Sequence, residues 1–160
     1  MKNFIIFASI VIAFSFIASF SNTSVATEIN RDAWTHQPKP DKASIIATYG
    51  YQKMKLVDTG SGKAAVVFTH INDREYCGGQ DALFNPIEAS INVELEIDKQ
   101  FKTISLPALL GCSKGVSFAK VHDSESMEFI AMMDDADKVL FHEQEYTLKG
   151  FKAASEEVID

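Results

Sequence analysis

Between residues 87 and 98 the chain alternates without a break: Ile87, Ala89, Ile91, Val93, Leu95 and Ile97 are apolar, while Glu88, Ser90, Asn92, Glu94, Glu96 and Asp98 are polar. A period of two places all the apolar side chains on one face and all the polar ones on the other, which describes a strand lying half on a core and half in water. Antiparallel sheets are made of such strands, since parallel sheets are covered on both faces. A turn at Asp98, Lys99 and Gln100 leads to residues 101–106, which have the length and composition of a return strand. A long hairpin is expected, ended by Pro107.

Weaker signals extend the same pattern. Residues 44–49 and 51–57 read as short strands, with a bent helix as the alternative because Gly50 lies between them. Residues 58–63 (DTGSGK) form a turn, residues 64–71 (AAVVFTHI) suit a buried strand, and residues 115–121 suit another. Residues 124–137 fit a helix and a strand; the helix is favoured, with Asp123 as its candidate cap. Residues 139–142 and 146–148 resemble a closing hairpin, and residues 151–158 a short terminal helix or frayed tail. The sum predicts a mainly β protein, an antiparallel β-sandwich or curved sheet with one or two short helices and a single disulfide.

The first 26 residues read as a signal peptide. Lys2 supplies the positive start, residues 4–20 are apolar with only Ser interrupting, and Ser24, Val25 and Ala26 provide small residues for cleavage. An uncleaved anchor, which needs roughly 20 apolar residues, is the alternative. No Cys stands at the cleavage site, which argues against a lipoprotein. Residues 27–42, containing Pro38 and Pro40, read as an extended arm on which Trp34 docks against the core. Residues 43–160 then form a single globular domain.

Export decides how the two cysteines are read. Cys77 and Cys112 are the only pair available, and in an oxidising compartment they are expected to form a structural disulfide. Redox catalysis would favour a CxxC spacing, which is absent. The formal charge is −7. Removing Lys2 with the signal peptide makes it −8, which disfavours nucleic acid and anionic lipid as partners.

Three strings invite a catalytic or ligand reading and fall short of it. Gly111-Cys112-Ser113-Lys114-Gly115 matches G-x-S-x-G, with Asp137 and His142 following in triad order. The residues after it look like a strand, however, and a nucleophile elbow requires a helix there. Gly60-Ser61-Gly62-Lys63 has Val57 and Ala64 where a phosphate loop needs Gly and Ser or Thr. His36, His70, His122 and His142 lack the spacing that puts two imidazoles on one metal, and only His122 with Asp123 and Glu125 offers a nucleus for a cation.

From Gly111 onward the chain resembles the invasion-associated locus B family of bacterial exported proteins. The resemblance rests on Gly111-Cys112, the strand and helix that follow, and Tyr146-Thr147-Leu148-Lys149-Gly150-Phe151-Lys152-Ala153-Ala154, which is similar to the family's leucine-x-glycine-phenylalanine element followed by Ala. The chain departs from the family in having two cysteines and in lacking its proline- and glycine-rich middle. The resemblance implies a periplasmic or secreted β-sandwich with no catalytic residue to carry over.

The function expected is that of a non-catalytic periplasmic or secreted binding protein of inhibitor or immunity type, acting on another protein through an acidic sheet face. Its partner-binding residues would be Glu88, Glu94, Glu96 and Asp98, facing a basic protein. No cofactor, metal, nucleic acid or stable membrane insertion after cleavage is expected. The alternatives are an envelope or invasion-associated factor and, third, a small hydrolase using Ser113 or a His-carboxylate pair.

Overall fold

The computed structural model describes residues 31–36, 41–60, 62–78 and 83–159. The signal segment, Pro38 and Pro40 lie outside them. Nine strands form one antiparallel sheet: β1 (Thr35–His36), β2 (Asp41–Ile46), β3 (Lys53–Gly60), β4 (Lys63–Thr69), β5 (Ile87–Ile97), β6 (Gln100–Ser113), β7 (Val116–Val121), β8 (Lys138–Phe141) and β9 (Gln144–Thr147). Their order is β1-β2-β3-β4-β7-β6-β5-β8-β9. Thr48 N–H, just past β2, donates to Glu145 O of β9 at 2.8 Å, so the two sides of the sheet meet and it is nearly closed. The described residues also form three short helices: α1 (Asp73–Tyr76), α2 (Asp123–Met133) and α3 (Phe151–Ile159). Among the described residues no helix is long and apolar enough to cross a membrane.

Of the sandwich and the curved sheet expected, the chain forms a mainly β, nearly closed curved sheet, in which the alternating strand β5 is the seventh of nine, between β6 and β8. Ile91, Val93 and Leu95 of β5 face inward with Met54, Leu56, Val66 and Val139. Phe68 is fully buried, its ring 4.3 Å from that of Phe141 and 5.8 Å from that of Tyr146. Burying a side chain of this size is worth about 1.5–3 kcal/mol. Tyr146 is buried too, and its hydroxyl donates to Gln52 Oε1 at 3.0 Å.

Two local expectations are corrected. Pro107 does not end the return strand, which runs on to Ser113. The two-residue turn makes Ile97 and Gln100 the first doubly hydrogen-bonded pair, so alternation turns the backbone of Pro107 away from β5 and toward β7. There β7 stops at Val121, opposite Ala108, so no strand requires the N–H that proline lacks, and Pro107 O accepts from His122 N. The cap of α2 is also not Asp123 but His122, whose side chain makes no capping bond. Residues 44–49 and 51–57 contribute β2 and β3, so the bent helix does not form.

Helix α2 fills a gap in the wall. β4 and β7 pair only from Val67 to Thr69, and beyond that point Ser126 of α2 stands between them. Its Oγ accepts from Val66 N–H and donates to Val121 O, replacing the ladder bonds that the two strands no longer give each other. Trp34 docks on the opposite element, as the lone aromatic of the arm was expected to: its ring lies edge-on to Phe151 of α3 at 5.0 Å, and Nε1 donates to Thr147 O. Cys77 and Cys112 form the disulfide, with Cα atoms 5.3 Å apart, and join the segment after α1 to the end of β6. Closing a loop of this length is worth about 3–4 kcal/mol in the chain-entropy model.

Candidate partner-binding face

The outer face of β5 carries Glu88, Ser90, Asn92, Glu94 and Glu96, in the order set by the alternation. Three of the four predicted acids therefore share one rigid surface. Asp98 does not join them on the strand; it is at the hairpin tip with Lys99, both with positive φ (53° and 62°). Register places Phe101, Thr103, Ser105, Pro107 and Leu109 of β6 beside the acidic row, and the Ser90 and Ser105 hydroxyls share a 2.7 Å hydrogen bond across the strands.

The three carboxylates differ in what they touch. Glu88, with 71% of its side chain exposed, accepts a 2.7 Å bond from His122 Nε2. Glu96 is only 18% exposed and lies 3.7 Å from Lys138 Nζ, which sits closer to Glu145 at 3.1 Å. The hydrogen bond and charge of Glu145, assisted by Glu96, raise the Lys138 pKa above its ordinary value. Glu94 is exposed and makes no ion pair with a described residue. Lys138 thus answers only Glu96 and Glu145, Glu88 has the His122 imidazole, and Glu94 has no described ionic partner, so the row stays acidic. A recess of about 300 Å3 adjoins it, lined by Asn92, Glu94, Leu140, Phe141, His142 and Glu143.

The edge of β5 adds a second feature. β8 pairs only with Glu94, Leu95 and Glu96, whereas β6 pairs with all eleven residues of β5. The same alternation that bonds Ile87, Ala89 and Ile91 to β6 turns the N–H and C=O groups of Glu88, Ser90 and Asn92 toward the β8 side. No described strand meets them there. Exposed edges are usually blunted by charged side chains, proline or a bulge; residues 87–93 contain no proline or bulge, and Glu88 is their one charged residue. Nothing in the sequence announced this edge, because it arises from β8 being four residues long.

The strings with a catalytic or phosphate-binding pattern lie apart or serve other roles. Gly111, Cys112 and Ser113 end β6, Lys114 and Gly115 form a tight turn with φ of 53° and 79°, and β7 follows, so a strand-to-strand turn stands where an elbow would need a helix. Gly111 faces Phe118 and Pro86; a Cβ there would fall 2.7 Å from the Phe118 ring, which accounts for the glycine. Ser113 is eight residues along β6 from Ser105, the partner of Asn92 beside His142, a separation of about 26 Å at the rise of a strand. Gly60 and Gly62 have positive φ in the β3–β4 turn. Among the described residues no three His, Cys, Asp or Glu side chains form a group that could hold a metal.

Comparison of the chain with protein-family models, with curated proteins and with solved structures gives no match.

Proposed function

We propose that this is a non-catalytic periplasmic or secreted binding protein that engages a basic protein partner through the outer face and open edge of β5. The observation that carries this reading is Glu94, an exposed carboxylate without a counter-ion in the middle of a row whose other members already compete for Lys138 and His122. Aligned carboxylates on a rigid sheet attract and orient a cationic surface. Beside them, the backbone groups of Glu88, Ser90 and Asn92, which meet no described strand, offer a partner strand the hydrogen bonds of a sheet.

The test is affinity capture from envelope extract on the oxidised, exported protein at low and high salt, with the retained proteins identified by mass spectrometry. The proposal expects one basic protein, released by salt. Retention of nothing specific, or of acidic proteins that salt does not release, contradicts it.

A second reading, an envelope factor of the invasion-associated locus B type, draws on the position of the family-like residues. Gly111-Cys112 lies at the disulfide, and Leu148, Gly150 and Phe151 lie where β9 passes into α3 against Trp34. A toxin gene beside the coding gene would favour an inhibitor, and its absence an envelope factor.

A further inference from the structure

At the far side of the sheet from β5, Ile46 of β2, Lys53 of β3 and Thr69 of β4 lie in one row across the strands. A cleft of about 370 Å3 opens there, lined by Arg31, Ile46, Tyr51, Lys53, His70 and Asp73 together with Gly50. In a protein of charge −7, a cleft holding Arg31 and Lys53 against one carboxylate runs counter to the general charge.

That carboxylate is already engaged. Asp73 Oδ1 accepts from Ser117 N and Ser117 Oγ, each at 2.7 Å, and Oδ2 accepts from His70 Nδ1 at 2.6 Å. Asp73 therefore orients the imidazole and leaves Nε2 as the ring nitrogen with no described partner. His70 is also held in the left-handed region at φ 58°, fixed by its N–H bond to Ser117 O at 2.8 Å. A side chain held there against backbone preference marks a position worth a functional reading. Arg31 Nη1 donates to Ala47 O at 2.7 Å and Gly50 O at 3.0 Å, which fixes the guanidinium at the wall and leaves its second terminal nitrogen without a described partner. Beside Lys53, the buried Thr69 hydroxyl has no hydrogen-bond partner among the described residues.

We infer that this cleft binds a small organic anion, its oxyanion head held by Arg31, Lys53 and His70 and its apolar body against Ile46 and the exposed Tyr51 ring. The fixed guanidinium and imidazole need little reordering on binding, which lowers the entropic cost of holding such a ligand.

The experiment is an amide chemical-shift titration of the purified oxidised protein with benzoate, phenyl phosphate, inorganic phosphate and benzyl alcohol. Concentrations run to about 10 mM, enough to reveal a dissociation constant near 1 mM. Saturable shifts at Gly50, Tyr51 and His70 with benzoate or phenyl phosphate are expected, and whichever binds more tightly identifies the head group. Lys53→Gln should weaken that binding about tenfold, the loss of one charge-assisted hydrogen bond. Lys102→Gln, the same change of charge on exposed β6, should leave it unchanged. No saturable shift with either aromatic anion, equal binding of benzyl alcohol, or indifference to Lys53→Gln would overturn the inference.

Discussion

Ser126 and Asp73 each carry more of the structure than their polarity suggests. Ser126 is fully buried and bridges the two strands that part around α2. Ser126→Ala leaves a buried N–H and a buried carbonyl unpaired, and chemical denaturation should show a loss of about 1–3 kcal/mol. Burial by itself would raise the Asp73 pKa, but the bonds from the Ser117 backbone, His70 and the Ser117 hydroxyl, with the charge of His70, outweigh it and bring the pKa below 3.8. A carboxylate whose pKa is lower folded than unfolded stabilises the fold above the unfolded value and loses that effect as pH falls through the folded one. Asp73→Asn should therefore melt below the wild type at neutral pH, and the gap should close below pH 3.8 in a thermal series. Neither role was legible in the sequence, because both depend on Ser117 and Val66 arriving from distant strands.

Elements were read best where one face is wet and the other buried. β5 declared itself through twelve alternating residues; the closing hairpin forms where residues 139–142 and 146–148 suggested one, and residues 151–158, read as a terminal helix or a frayed tail, lie in α3. Proline misled because its effect depends on which edge its nitrogen faces, set here by the two-residue turn, and on whether a strand needs an N–H there, set by where β7 stops. Tight turns were only partly visible. Asp98 with Lys99 and His142 with Glu143 adopt left-handed pairs without the Asn-Gly or Asp-Gly sequence that favours them, whereas Lys114-Gly115 has its glycine at the second position. The left-handed conformation at Lys99 costs a non-glycine residue about 1 kcal/mol, part of which glycine's greater unfolded-state freedom offsets. Lys99→Gly should stabilise the protein by about 0.5 kcal/mol, read as a rise in the urea midpoint at constant slope; a fall would mean that the turn is not under this constraint.

At the level of the whole molecule, near closure joins residues more than a hundred positions apart, as when Trp34 Nε1 reaches Thr147 O. No local pattern encodes such a contact, so the sequence predicted a sandwich or a curved sheet without deciding between them or predicting how the two sides meet. The acidic row was legible, yet its surroundings were not: Lys138, His122 and Glu145 join it only through pairing and register. The free edge of residues 87–93 was equally hidden. The acidic row of β5 and the cleft holding Arg31 and Lys53 lie on different sides of the sheet, so the two proposed ligands can be separated by mutation. The most direct test of the partner-binding account is calorimetric titration of the captured protein against wild type and the double variant Glu88→Lys, Glu94→Lys at two salt concentrations. The account predicts that at low salt the variant loses at least about tenfold in affinity, and its salt dependence with it. Its melting temperature should hardly move, since the single surface pair removed is worth about 0–1 kcal/mol. Equal affinity for both proteins at low salt would contradict it.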